Sequence, residues 1–203
     1  MKIIGLTGPS GAGKGTLCQK FEELDIPCID TDAIYHSLVT SPSPCLDELK
    51  ERFGSSIINT DGSLNRTSLA KLVFAGDNAK ESLEALNYIT HKYVWDETNI
   101  ILTNHIKMGK KCAVIDAPAL FSSQFFVGAC DFIISVLCDK EIRVERIVKR
   151  DNISREQALA RINAQPSEEF FVENSDYCIT NCGSIDYMNK QLISILEQEE
   201  IYP

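Results

Sequence analysis

Nine residues near the amino terminus have the types and spacing of a loop that binds a polyphosphate. They run from Gly8 to Thr16, directly after an apolar run and directly before a run of helical character. Glycines let the backbone curl so that several N–H groups, the positive end of a helix and a lysine ammonium group meet at one point. A flexible turn would account for the glycines alone. We predict that nucleotide phosphates are held by six consecutive residues: Gly11, Ala12, Gly13, Lys14, Gly15 and Thr16.

The residue after the lysine departs from the usual phosphate loop. That position ordinarily carries Ser or Thr, which holds Mg²⁺, whereas here it is Gly15 and the hydroxyl group follows at Thr16. The Gly-Lys-Gly-Thr ending is similar to the loops of nucleoside monophosphate kinases, which favours a small-metabolite kinase over a motor or a switch GTPase. We expect Mg²⁺ to be held at Thr16 and, mostly through water, by acidic groups.

Two carboxylates follow the strand-like run 26–29. They are Asp30 and Asp32, and we expect them close to the place where the first strand delivers the phosphate loop. In phosphoryl transfer to a hydroxyl group, a carboxylate accepts the hydroxyl proton. We assign this catalytic role to Asp32. The alternative is that either residue only caps the helix predicted to start near Ala33.

A third carboxylate, Asp116, ends the strand-like run 112–115. Acidic residues at strand ends of phosphate-loop enzymes often approach Mg²⁺ through water, and we predict this role for Asp116. The alternative reading is a turn former ahead of the nearby proline.

Basic residues crowd one short stretch of an otherwise acidic chain, comprising Arg143, Arg146, Lys149, Arg150, Arg155 and Arg161. Arg146 and Arg150 are four residues apart and share one helical face, and a planar guanidinium group suits the grip and neutralisation of a γ-phosphoryl group. We predict that they act as catalytic cations on a lid of about residues 140–165, which also excludes water. The alternative is a solvated helix with internal ion pairs. Arg161 and Gln165 are also four residues apart. The sequence leaves open whether they face adenine, phosphate or solvent.

The bulk composition fits a globular enzyme. The chain has 203 residues, of which 24% are charged, and a net charge of -9, which argues against non-specific binding to nucleic acid. Eight cysteines occur without a C-x-x-C pair, and we interpret them as reduced and structural. We expect neither a signal peptide nor a membrane span, and therefore predict a cytoplasmic protein, a monomer or a small homo-oligomer.

The elements that position these groups alternate between strand and helix. Five short apolar runs are typical of buried parallel strands: residues 2–6, 26–29, 112–115, 132–137 and 177–179. We predict an α/β fold of the P-loop kinase type, a parallel five-stranded sheet with helices on both faces and ligands at the carboxyl ends of the strands. Residues of about 41–108 have helical patterns and a turn at Asp61-Gly62, so we expect a mostly helical insertion that is a lobe of one domain, residues 1–203.

Several segments together resemble the dephospho-coenzyme A kinase family nearly end to end. They are residues 8–16, 30–32, 61–66, 146–151, 161–165 and 176–183. The resemblance implies a helical substrate-binding lobe, a lid, and ATP-dependent phosphorylation of the ribose 3′-hydroxyl of dephospho-coenzyme A, the last step of coenzyme A synthesis. It implies that Lys14 binds ATP phosphates, that Asp32 activates the 3′-hydroxyl and that Arg146 or Arg150 steadies the transition state. Arg66 and His91 are the implied acceptor contacts.

The chain departs from that family's pattern at three places. Gly15 replaces the usual Ser or Thr, and the family's His-Pro pair reads His91-Lys92, so a structural role for His91 stays open. After the third strand-like run, Ala119 and Ser122 stand where the family has a leucine and a glutamate. Acceptor contacts near this segment are therefore expected to differ.

Two other functions compete with this assignment. The phosphate loop and the segment Ala33-Ile34-Tyr35 are also similar to cytidylate kinase, a nucleoside monophosphate kinase, which is the second candidate. A nucleotide-sensing switch would need an Asn-Lys-x-Asp string for guanine. The nearest string, residues 189–192, lacks the acid, which argues against a switch.

Overall fold

A five-stranded sheet forms the centre of the computed structural model, which describes residues 1–74 and 78–201. Its strands are β1 (Lys2–Thr7), β2 (Cys28–Asp30), β3 (Cys112–Asp116), β4 (Phe132–Leu137) and β5 (Tyr177–Thr180). Their order across the sheet is β2-β3-β1-β4-β5. β1 pairs in parallel with both β3 and β4, and β4 pairs in parallel with β5. The predicted α/β fold with five parallel strands is confirmed.

The second strand begins two residues later than the apolar pattern predicts. The amide of Ile26 donates to the carbonyl oxygen of Phe21 at 2.9 Å, which closes a turn after the first helix. Pro27 has no N–H group to give to a sheet. Its carbonyl oxygen nevertheless accepts from the amide of Val114 at 2.8 Å, so the contact with the neighbouring strand starts there.

The helices are α1 (Lys14–Glu23), α2 (Thr31–Thr40), α3 (Pro44–Phe53), α4 (Arg66–Phe74), α5 (Ala79–Lys107), α6 (Gln124–Val127), α7 (Lys140–Asp151), α8 (Arg155–Asn163), α9 (Glu168–Asn174) and α10 (Ile185–Gln198). Several begin at a serine whose hydroxyl group accepts from a backbone N–H group of the first turn, namely Ser43, Ser154, Ser167 and Ser184. Among the described residues, no helix has the length and apolar character needed to cross a membrane.

Both faces of the sheet are covered. All six residues of β4 are buried, which is the pattern of a strand with apolar neighbours on either side. On one face, Ile4 and Ile134 pack in a single buried cluster with Leu17 of α1 and Leu192 of α10. On the other face, a Cβ atom on Gly5 would lie 2.8 Å from atoms of Cys130 and Leu120, so glycine is needed for this close packing.

The chain divides into two compact units. One comprises Met1–Ile29, His105–Ser122 and Phe126–Pro203, and the other comprises Asp30–Asn104 and Ser123–Phe125. The second unit has its own buried cluster, to which Val39, Leu49, Leu69 and Ile89 contribute from four helices. The segment predicted as an insertion, about 41–108, overlaps this unit and is mostly helical, and its residues 75–77 lie outside the described part.

Candidate active site

The phosphate loop (residues 8–16) connects the end of β1 to the start of α1, as its sequence predicts. Three of its glycines are in conformations that other residues rarely adopt, with φ of 135° at Gly8, 80° at Gly11 and 108° at Gly13. A Cβ atom on Gly8 would lie 2.3 Å from the carbonyl oxygen of Val136, and one on Gly13 would lie 2.0 Å from Nδ2 of Asn181. The loop therefore requires glycine at both positions for conformation and for space.

The carbonyl oxygens of the loop are held by side chains from the carboxyl-terminal part of the chain. Nε of Arg143 donates to the carbonyl oxygen of Ser10 at 2.9 Å. One guanidinium nitrogen of Arg146 donates to the carbonyl oxygens of Gly11 and Ala12, both at 3.2 Å. Because the C=O and N–H groups of a trans peptide unit point in opposite directions, the amides that follow Ser10 and Ala12 face away from these cations.

Two amide side chains complete this support. Nδ2 of Asn181, a buried residue, donates to the carbonyl oxygen of Ala12 at 2.8 Å. Oε1 of Gln165 accepts from the amide of Ser10 at 3.0 Å and from Arg143 at 3.1 Å. The loop is thus fixed by hydrogen bonds before any ligand binds.

The first turn of α1 is suited to an anion. Its N-cap residue, Gly13, has no side chain that could occupy the helix N–H groups, and no acidic residue lies in the first turn. Neither the N-cap residue nor the first turn of α1 therefore neutralises the positive end of the helix dipole. Nζ of Lys14 donates to the carbonyl oxygen of Gly8 at 2.8 Å, so its ammonium group curls back over the loop.

The residues predicted to hold Mg²⁺ belong to the same unit. Thr16 lies half-buried in the first turn of α1, and Asp116 ends β3 opposite Leu6 of β1. Hydroxyl and carboxylate oxygens are the donors that Mg²⁺ prefers. No group of three or more His, Cys, Asp or Glu side chains that could form a metal cage occurs among the described residues. The donor set fits an ion that keeps much of its water.

The structure leaves room for a side chain at Gly15. A Cβ atom built there would meet no other atom within 4 Å, and Gly15 is not among the glycines with positive φ. The missing hydroxyl group is therefore not a consequence of crowding.

The structure gives different positions to Asp30, the last residue of β2, and Asp32. Oδ1 of Asp30 accepts from the amide of Ala33 at 2.9 Å, so Asp30 is the N-cap of α2. This helix starts at Thr31, two residues before the predicted start. Asp32 lies in the first turn with an exposed side chain. The capping role is thus filled by Asp30.

The arginines of the predicted basic cluster lie in two different surroundings. Arg143 is buried against the phosphate loop, and Arg146 is half-buried there. Arg150 instead pairs with Asp151, at 2.7 Å between Nε and Oδ1, and Arg161 pairs with the same carboxylate. These two guanidinium groups hold the pKa of Asp151 down at about 2, with the hydrogen bond from Arg150 as the largest cause. Helical spacing placed Arg146 and Arg150 on one face, but their surroundings differ.

The two predicted acceptor contacts lie in the second unit. Arg66 begins α4, and its guanidinium carbon lies 5.3 Å from the centre of the Tyr35 ring, within cation–π range. Burial raises the pKa of the Tyr35 hydroxyl. His91 is half-buried in α5, and this burial lowers its pKa, so that the neutral imidazole is favoured.

Sequence reasoning assigned no loop-supporting role to Arg143, Gln165 or Asn181. The sequence placed Arg143 in a cluster of basic residues, Gln165 beside adenine, phosphate or solvent, and Asn181 only within a longer segment. In the structure their partners include main-chain groups of residues 10–12. A buried arginine in a predicted surface helix carries no sequence signal of its own.

A phosphate loop between β1 and α1 of a parallel five-stranded sheet defines a P-loop kinase fold. The structure of shikimate kinase from Acinetobacter baumannii shares this fold, with a TM-score of 0.54 and 17% identity over 98% of this chain and 95% of that one. A crystal structure of a Thermus thermophilus protein matches with a TM-score of 0.78 and 28% identity over 97% of each chain.

The family is shown by the sequence comparisons. A family model described as dephospho-CoA kinase matches residues 2–186. The dephospho-CoA kinase of Bacillus cereus is 38% identical over 199 residues, which is 98% of either chain. The chain belongs to the dephospho-CoA kinase family, and it is a kinase. The findings support this family and not the cytidylate kinase alternative.

Proposed function

We propose that this chain transfers the γ-phosphoryl group of ATP to the ribose 3′-hydroxyl of dephospho-coenzyme A, which gives coenzyme A and ADP. Membership of the family supports the acceptor, because its model covers nearly the whole chain. The proposal that ATP is the phosphoryl donor rests on the phosphate loop. Its carbonyl oxygens are held by Arg143, Arg146 and Asn181. A loop fixed in advance loses little entropy when it binds a triphosphate.

In this proposal the donor binds to the backbone of residues 11–16. Lys14 contacts the phosphates through its ammonium group, and the first turn of α1 adds the positive end of the helix dipole. Charge that develops on the transferring phosphoryl group then meets groups that are already oriented, so little reorganisation is needed in the transition state.

Asp32 is the proposed general base. It accepts the proton of the 3′-hydroxyl as the oxygen attacks phosphorus. Its carboxylate is exposed, and the cap of α2 is supplied by Asp30, whose Oδ1 accepts from the amide of Ala33. Arg146 or Arg150 supplies further positive charge near the γ-phosphoryl group. Arg66 and His91 contact the acceptor.

Mg²⁺ is proposed as the metal cofactor, with Thr16 and Asp116 as the residues that hold it. When bound, such an ion neutralises phosphate charge. The chain's own contribution is to present a hydroxyl oxygen from α1 and a carboxylate oxygen from the end of β3. A cytoplasmic location and a monomer or small homo-oligomer stay predictions from the sequence.

An acceptor screen tests the function. Purified protein with ATP and Mg²⁺ is expected to phosphorylate dephospho-coenzyme A and to leave CMP almost unreacted. Phosphorylation of CMP with no reaction of dephospho-coenzyme A would overturn the proposal.

Calorimetry tests the donor site separately. ATP binding is expected to disappear in Lys14→Ala and to persist in Lys20→Ala. The second variant is a matched control, because Lys20 lies in the same helix and pairs with Glu23 at 2.8 Å. Equal ATP binding by both variants would contradict the assignment of Lys14.

A further inference from the structure

Two cysteine thiols meet between α1 and β2. Cys18 is the fifth residue of α1, and Cys28 is the first residue of β2. Their sulfur atoms are 2.7 Å apart. A disulfide bond is about 2.05 Å long, so bond formation would need a further approach of only ~0.7 Å. Both residues are half-buried, which leaves them open to a small reagent.

The other cysteines are placed differently. Cys178 is exposed and would react first if exposure alone decided reactivity. Cys138 is buried, and its sulfur donates to the carbonyl oxygen of Asn181 at 3.0 Å. The sulfur of Cys182 accepts from the amide of Asp139 at 3.2 Å. Cys138 and Cys182 also contact each other through their side chains, but their sulfur atoms are engaged with main-chain groups as well. The sulfur atom of Cys28 donates directly to that of Cys18.

We propose that Cys18 and Cys28 form a redox-active dithiol that closes to an intramolecular disulfide with a low-molecular-weight disulfide as oxidant. One thiol attacks the oxidant as its thiolate, forms a mixed disulfide and releases one thiol. The second cysteine attacks the protein sulfur of that mixed disulfide and releases the other thiol. Two protein thiols are oxidised, the oxidant is reduced to two thiols, and the two protons leave with them.

The bond would also change a contact of Asp116. The thiol of Cys18 donates to Oδ2 of Asp116 at 3.5 Å, and this S–H group is lost on oxidation. This step rests on the proposed function, in which Asp116 approaches Mg²⁺. Loss of a hydrogen bond to such a carboxylate typically costs about 10–100-fold in metal affinity or activity. We therefore expect oxidation to slow the kinase reaction.

Peptide mapping after oxidation tests the dithiol without reference to activity. The whole protein is treated with hydroxyethyl disulfide, its remaining thiols are alkylated, and it is cleaved with trypsin. The expected product joins the peptide of residues 15–20 to that of residues 21–50, with the loss of two hydrogen atoms. Because the second peptide also contains Cys45, fragmentation must assign the link to Cys28. A link elsewhere, or a mixed disulfide that never closes, would overturn the proposal.

Three variants sharpen this test. Cys18→Ser and Cys28→Ser should each abolish the link, and Cys178→Ser should form it as the unaltered protein does. Persistence of the link in either of the first two variants would refute the pairing.

Turnover is the second readout. Oxidised protein is expected to turn over dephospho-coenzyme A about tenfold more slowly, with full recovery on reduction by dithiothreitol. In Cys178→Ser the loss should be equal. If the link forms and the rate does not change, the coupling to Asp116 is wrong. If the reduced protein shows no kinase activity at all, the proposed function fails while the mapped disulfide stands.

Discussion

Gly13 and Asn181 occupy adjacent space that only a glycine leaves open, since a Cβ atom on Gly13 would lie 2.0 Å from Nδ2 of Asn181. The same nitrogen donates to the carbonyl oxygen of Ala12 at 2.8 Å. The amide of Asn181 therefore cannot move aside without giving up its bond to the loop. Backbone conformation, side-chain packing and hydrogen bonding are coupled at this one point.

Substitution of Gly13 and Gly15 should have opposite effects. Gly13→Ala places a side chain at φ 108° and against Asn181, so we expect a loss of about 1–3 kcal/mol in the free energy of unfolding and weakened ATP binding. Gly15→Ala fills empty space in a helix and should stabilise by about 0.5–1 kcal/mol. Chemical denaturation and ATP calorimetry on both variants check this. A Gly13→Ala variant as stable as the unaltered protein would contradict the steric argument.

The proposed general base can be separated from the helix cap. Asp32→Asn should lower kcat by about 10²–10⁴-fold, because it removes a proton acceptor, and should leave the affinity for ATP unchanged. Asp30→Asn is the control, since asparagine caps a helix as well as aspartate does. Steady-state kinetics with ATP calorimetry measure both effects. Unchanged turnover in Asp32→Asn would rule out its catalytic role.

Arg146 and Arg150 should respond differently to replacement by lysine. Arg146 donates to the carbonyl oxygens of Gly11 and Ala12 from one guanidinium nitrogen and to that of Asn181 from the other. Lysine lacks this planar pair of nitrogens, so Arg146→Lys is expected to cost about 2–3 kcal/mol of stability. The pair of Arg150 with Asp151 is more than half exposed on the arginine side, and Arg150→Lys should cost no more than about 1 kcal/mol. Denaturant midpoints test the contrast. Equal destabilisation would show that Arg146 does not support the loop.

The buried imidazole of His91 should make stability depend on pH. Its pKa in the folded protein lies below the ordinary value of about 6.5 that the unfolded chain has. Between these two pKa values the unfolded chain binds more protons than the folded protein does. The free energy of unfolding should therefore rise with pH up to about 6.5, and above this pH His91 should add no further stability. Urea unfolding of the unaltered protein and of His91→Gln across this range measures the effect. The variant should show a shallower rise, and identical slopes would contradict the prediction.

The sheet and its phosphate loop were predictable because each depends on local patterns. Short apolar runs marked all five strands, and glycine spacing marked the loop. The start of β2 was misplaced because Ile26 is apolar yet gives its amide to a turn. The apolar character of a residue indicates that its side chain is buried. It does not indicate which group accepts a hydrogen bond from its backbone amide.

The support of the loop was not predictable in the same way. Arg143 and Asn181 bond to carbonyl oxygens 133 and 169 residues away along the chain. Helical spacing correctly places Arg146 and Arg150 on one side of α7, but it does not say what that side meets. In the structure Arg146 meets the loop and Arg150 meets Asp151.

The long sequence separation of these contacts has a consequence for biosynthesis. A nascent chain that has left the ribosome as far as α6 already contains β1, the phosphate loop and β3, but neither Arg143 nor Asn181, which hold the carbonyl oxygens of Ser10 and Ala12. Domains generally fold as units during synthesis, which adds about 5–20 residues per second. The nucleotide-binding loop, although encoded first, can therefore acquire all of its supporting hydrogen bonds only after the chain has been synthesised as far as Asn181.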